Sequence, residues 1–182
     1  MLLTAGACGG DGPTEPVEAG GSMSFSYSGA ESGSFSVTGP TKPYQDGVVA
    51  QRLPDPLNVV RVVGIRMRSA TNADFLELLL PNVTTPRTIA LGGECGSTIT
   101  DCPIAAFGRD VSVALGMPDP GSAEGFFVFN SGTVIVTLVT SSRIAGTFEG
   151  TAASLTLGGV PREVTITDGK FDMQLVPFGE VP

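Results

Sequence analysis

Groups able to do chemistry are few in this chain, and their scarcity narrows the function. Nucleophilic catalysis needs a serine or cysteine with a base within hydrogen-bond reach. The 182 residues contain no histidine, which removes every Ser-His and Cys-His arrangement. Lys42 and Lys170 are the only lysines, and neither stands in a Ser-x-x-Lys pattern. No Gly-x-Ser-x-Gly elbow and no phosphate-cradling Gly-rich loop occurs. Glycoside hydrolysis needs only two carboxylates brought together by the fold. Glu77 and Glu149, each inside a strand-like stretch, are the best-placed pair. Solvent-facing positions on a sheet are the plainer reading of both, and the absence of tryptophan removes the usual platform for stacking on sugar rings. Asp119 with Glu124, and Asp168 with Asp172, offer oxygen ligands for calcium, but neither pair fits the EF-hand loop and turn chemistry accounts for both. The chain therefore reads as a non-enzyme, with no catalytic residue, cofactor or metal expected.

Three cysteines remain. Cys95 and Cys102 flank Gly96-Ser97-Thr98-Ile99-Thr100-Asp101, a turn-rich loop short enough to close. In an oxidising compartment they are expected to pair, contributing roughly 2–3 kcal/mol by restricting the unfolded chain; free buried thiols are the alternative. A metal would call for further cysteine or histidine nearby. Cys8 is different. It follows Met1-Leu2-Leu3-Thr4-Ala5-Gly6-Ala7, a short apolar run ending in small residues, and precedes GGDGPTEPVEAGG over residues 9–21. Gly, Pro and acidic residues in that segment describe a solvated tether with almost nothing to bury a thiol. Ala5-Gly6-Ala7-Cys8 resembles the lipobox of bacterial lipoproteins, with Ala5 where that family prefers Leu. The resemblance implies that residues 1–7 are a signal-peptide remnant, that Cys8 is the lipid attachment site, and that residues 8–21 tether the body to a membrane. Multi-chain acylation of the family's kind anchors stably, where one chain alone is marginal. Gly9 instead of Asp after the cysteine resembles lipoproteins passed on to the outer membrane, so the expected location is the bacterial cell envelope, outer membrane.

Composition indicates what must position these groups. Hydrophobic residues make up 41% and charged residues only 15%, against a typical charged share of about 25%. With 25 Gly and 14 Pro, this favours many short strands joined by turns. The net charge of −8 repels phosphate backbones, and no basic stripe compensates. Arg66 and Arg68 share one strand face while Arg61 lies on the other, which reads as solvated arginines on a half-exposed strand. Nucleic acid is not an expected partner; a membrane reached through Cys8 and an envelope or extracellular protein are.

Period-two alternation recurs along the body. Met23, Phe25 and Tyr27 alternate with serines, as do Phe35 and Val37 with Ser34, Ser36 and Thr38; Gly29 to Gly33 reads as the hairpin between them. Residues 58–68 are apolar on both faces at their start, predicting a central strand with a bulge at Gly64. Residues 74–80 (DFLELLL) are Leu-rich but short for a helix before Pro81 and are taken as strand. Ile89 with Leu91, and Val111 with Val113 and Leu115, mark two more. Asn130-Ser131-Gly132 between two β-branched and aromatic runs predicts a hairpin, and Asp168-Gly169 predicts another, with one bulged strand as the competing picture. The sum is a single all-β domain over residues 22–182, an antiparallel β-sandwich or partly closed barrel of about eight to ten strands.

Arg143-Ile144-Ala145-Gly146-Thr147-Phe148 followed by Val164-Thr165-Ile166-Thr167-Asp168-Gly169-Lys170-Phe171-Asp172 resembles a family of uncharacterised secreted lipoproteins. These carry an SGTF strand and, about twenty residues later, an ITNGxFD-type end. The resemblance implies a β-rich lipoprotein domain and assigns no active-site residue. The leading functional reading is thus a lipid-anchored β-module with a structural or partner-binding role. The alternative is a β-barrel carrier of a small apolar ligand, lined by Phe126, Phe127, Phe129, Phe148 and Phe171. An empty apolar interior of about 300 Å³ or more would favour the carrier, and a filled interior the module.

Overall fold

The computed structural model describes residues 20–40, 42, 45–93, 102–114, 117–119, 125–154 and 160–179. These residues form eleven strands and no helix: β1 (Gly21–Gly29), β2 (Gly33–Thr38), β3 (Gly47–Arg52), β4 (Val59–Met67), β5 (Asn72–Pro81), β6 (Arg87–Leu91), β7 (Ile104–Ala114), the two-residue β8 (Met117–Pro118), β9 (Phe126–Val139), β10 (Arg143–Ser154) and β11 (Glu163–Pro177). The all-β expectation holds, and β1 opens one residue ahead of the expected boundary at residue 22.

Seven strands close into a barrel in the order β10-β9-β7-β5-β4-β3-β11, with β11 returning to β10. Two long strands make closure possible by changing partners along one edge. β11 pairs with β1 over Val164–Met173, then in parallel with β3 over Leu175–Pro177. β9 pairs with β7 over Phe126–Val128, then with β6 over Gly132–Val136. One layer, β2-β1-β11-β10-β9-β6, is therefore joined at both margins to a second, β3-β4-β5-β7.

The interior follows from the alternation. Met23, Phe25 and Tyr27 of β1, Phe35 of β2, Leu76, Leu78 and Leu80 of β5, Phe107 of β7 and Phe127 of β9 belong to one buried cluster. The Phe107 ring lies 5.2 Å from Phe25, 5.0 Å from Tyr27 and 6.1 Å from Phe127, within the range where aromatic pairs add about 0.5–1.5 kcal/mol each beyond burial. A second cluster occupies the opposite face of β3, β4, β5 and β7: Val49, Val63, Ile65, Ala73, Phe75 and Val111. Apolarity on both faces of residues 58–68 is thus real, with Val60 and Val62 inward and Val63 and Ile65 outward.

Three local expectations are corrected. Asn130-Ser131-Gly132 does not turn the chain; β9 runs through it, because Gly132 (φ +146°) lies so close to the Glu149 carbonyl of β10 that a side chain would collide. Asp168-Gly169 likewise forms a bulge within β11, with Asp168 at φ 56° and a register shift against β10, so the competing picture of one bulged strand is correct. Gly64 is no bulge, since β4 keeps regular register with β3 and β5. Its reason is space: an added Cβ would stand 2.7 Å from Met23 Sδ. The cysteine-flanked loop links β6 to β7, two strands that lie one after the other along the same margin of β9.

Candidate functional site

Polar side chains with defined partners concentrate at the barrel end that carries the β1–β2 and β4–β5 connections. Asp74 begins the inward Leu76–Leu78–Leu80 series on β5, which places its carboxylate at the mouth with only 1% exposure. It sits opposite Arg66 in the β4–β5 register. Arg66 Nη2 donates to Oδ2 at 2.6 Å, Arg68 Nε to Oδ1 at 2.5 Å, and the Asp110 peptide N–H to Oδ1 at 3.0 Å. Burial pushes this carboxyl up, but the hydrogen bonds from Arg68, Arg66 and Asp110, with the Arg68 charge, outweigh it and hold the group below the usual carboxylate range. Asp110 is available because a bulge in β7 puts it at φ 51°.

Glu31, in the β1–β2 connection, repeats the arrangement. It accepts from Arg109 and, at 2.5 Å, from Arg162 Nη2. Three of the four guanidiniums also lie over aromatic rings, Arg66 over Phe35 at 5.3 Å, Arg109 over Tyr27 at 5.5 Å and Arg162 over Phe127 at 5.9 Å. Arg109 Nε is buried without a hydrogen-bond partner. Chemically this end is a lid. Each carboxylate accepts from two arginines, and three guanidinium planes lie over the aromatic interior.

The opposite end, where the β3–β4 and β9–β10 connections and the end of β11 meet, is built otherwise. An open groove of about 400 Å³ runs between Arg52, Pro54, Asn58, Ser141, Val176 and Phe178. Phe178 is 59% exposed and Leu57 38% exposed, and the Asp55–Pro56 peptide is cis. Phe178 is held by its peptide N–H, which donates to the Arg52 carbonyl at 3.1 Å. The start of β1 adjoins this groove: Gln174 N–H donates to the Gly20 carbonyl, and the next residue, Leu175, donates to Ser142, both at 2.9 Å.

Of the residues singled out from sequence, Cys8, Cys95, Glu124 and Leu115 lie outside the described residues. Cys102 is half-buried just ahead of β7. Glu77 and Glu149 do not converge; Glu77 pairs with Arg61 at 2.5 Å on the outer face of β5, and Glu149 is exposed on β10 of the other layer. Both Asp172 oxygens accept from Arg143 at 2.7 Å, and Asp168 stands exposed at its bulge. Arg66 and Arg68 are not simply solvated, since both are committed to Asp74. Phe127, Phe129, Phe148 and Phe171 are interior, but Phe126 packs on the other face against Phe75, ring centroids 6.1 Å apart. Asp74 and Glu31 were not singled out from sequence. A lone aspartate opening an apolar strand beside a neighbouring Arg-x-Arg is the signal that finds the first; Glu31 carries none. The two segments carrying the secreted-lipoprotein resemblance are neighbours, with Gly146 opposite Phe171 and Thr147 opposite Lys170.

A scan with protein-family models and comparisons with curated proteins and with solved structures found no match to this chain.

Proposed function

We propose that the protein is an exported, non-catalytic β-domain, held through a lipid on Cys8 at the bacterial cell envelope, with a structural or partner-binding role. The observation that supports the non-catalytic reading is tight packing around three buried glycines. A methyl group added at Gly64 would stand 2.7 Å from Met23 Sδ, at Gly146 2.7 Å from the Phe171 ring and at Gly169 2.6 Å from the Phe148 ring. A cavity for substrate or cargo has no room at those positions, and the inward-turned acids are already engaged by arginine. Ala5-Gly6-Ala7-Cys8 and the Gly-, Pro- and acid-rich tether support the anchor. The strands on either side of the cysteine loop, β6 and β7, meet one margin of β9 at Gly132 and Val128, which supports a Cys95–Cys102 disulfide in the same compartment.

The test is the mass of the N-terminal peptide from membrane-extracted protein, which should begin at an acylated Cys8. Cys8→Ala should move the protein to the soluble fraction. An unmodified, uncleaved N-terminus ends the anchoring reading. Closure of the barrel favours a second reading, a carrier of a small apolar ligand; organic extraction of purified protein followed by mass spectrometry should return no stoichiometric ligand, and a stoichiometric one would reverse the order of the two. Cross-linking in the native envelope should identify a protein partner.

A further inference from the structure

Of the two barrel ends, one carries the point where the tether enters the fold, and it also exposes Phe178 and Leu57. Phe178 stands exposed on the groove, beside the half-buried Leu53 and the exposed Pro177, and Leu57 is exposed in the β3–β4 connection between the lining residues Asp55 and Asn58. Gly20, the first described residue, is bonded to Gln174, one residue before the groove-lining Leu175. Twelve residue steps separate Gly20 from Cys8, a flexible reach of about 20 Å root-mean-square. The fifteen residues of β11, which run from one end of the barrel to the other, span about 50 Å at full extension. A tether of that reach keeps the near end of the barrel at the attachment point and the far end away from it. The far end presents guanidiniums and carboxylates already neutralised by one another, together with the exposed Val160.

We propose that the barrel end bearing Leu57 and Phe178 is a bilayer-contacting surface, resting on lipid headgroups with the Phe178 ring at the polar–apolar boundary. Phe and Leu side chains bury at the headgroup–acyl boundary when a polypeptide lies on a bilayer. The occupant is the membrane itself, because the segment joining the groove to Cys8 brings no other surface as close. This inference rests on the anchoring reading, and the experiment separates the two.

The chain has no tryptophan, so one introduced residue reports alone. Phe178→Trp and, separately, Val160→Trp would be made in a full chain with Cys95 and Cys102 replaced by serine. Cys8 is then coupled to a maleimide-headgroup lipid in phosphatidylcholine vesicles containing brominated acyl chains. Quenching at position 178 should exceed that at 160 several-fold. Equal quenching at the two positions, stronger quenching at 160, or none at either overturns the proposal. Leu57→Trp serves as a second reporter if Phe178→Trp disturbs folding, and should be quenched as residue 178 is. Chemical coupling supplies the anchor whether or not a cell does. An unmodified Cys8 in native membranes would therefore refute the anchoring reading, while the vesicle result still decides which end meets lipid.

Discussion

The two ends of one barrel solve the same problem in opposite ways. Both must finish strands whose inner faces are aromatic and aliphatic. At the β1–β2 end the finish is ionic, with Asp74 and Glu31 each held between two arginines and three guanidiniums laid over Phe35, Tyr27 and Phe127. At the β3–β4 end it is a shallow groove with exposed Leu57 and Phe178 and no comparable ion pair among its lining residues. An end closed by charges that face each other has little left for a partner. An end that leaves apolar atoms in water gains from covering them. The difference gives the first end a role in stability and leaves apolar side chains of the second in water.

The largest way to break this contrast is Asp74→Ala. Removing the buried Asp74 carboxylate leaves the part-exposed Arg66 and Arg68 without their counterion, and the expected loss is about 2–3 kcal/mol, read as a lowered urea midpoint. Glu31→Ala should cost less, about 1–2 kcal/mol, because Arg162 is more exposed and can turn to water. The same end should set the acid limb of stability. A carboxyl held below its unfolded value contributes stability above that unfolded value and loses it as pH falls through the lower folded one. The wild type should therefore lose stability progressively below about pH 4. Asp74→Asn should flatten that part of the profile, and an unchanged acid slope in Asp74→Asn would remove Asp74 from the account. At the other end the combined Leu57→Ser and Phe178→Ser change should alter unfolding stability by no more than about 0.5 kcal/mol, as exposed positions do. A large loss there would mean that the groove is part of the core.

Much of this was legible in sequence where one rule governs one element. Alternation alone located β1, β2 and β6, apolarity on both faces marked β4 as central, and shortness before Pro81 marked β5 as strand. Turn chemistry misled twice, at Asn130-Ser131-Gly132 and Asp168-Gly169. The backbone freedom that closes a hairpin also lets a long strand kink through a bulge, and only the neighbouring strand decides which occurs. The ion-paired end was half visible. Arg66 and Arg68 were found on one face, but their convergence on Asp74 depends on the β4–β5 register, which is a property of two strands and their connection. Phe126 was assigned to the interior with its neighbours because parity counted from Phe127 was not carried one residue back. The apolar rim could not be read at all, since exposure of Leu57 and Phe178 is set by what fails to pack on them.

β11 follows every strand it joins. It is hydrogen-bonded to β10, β1 and β3, and the last two are separated from it by most of the sequence. Such distant pairing carries a loop-closure cost that early segments cannot meet among themselves. The barrel thus has no closed wall until β11, which begins at Glu163, has been made. Closure of the wall therefore falls to the last of the described strands to be made.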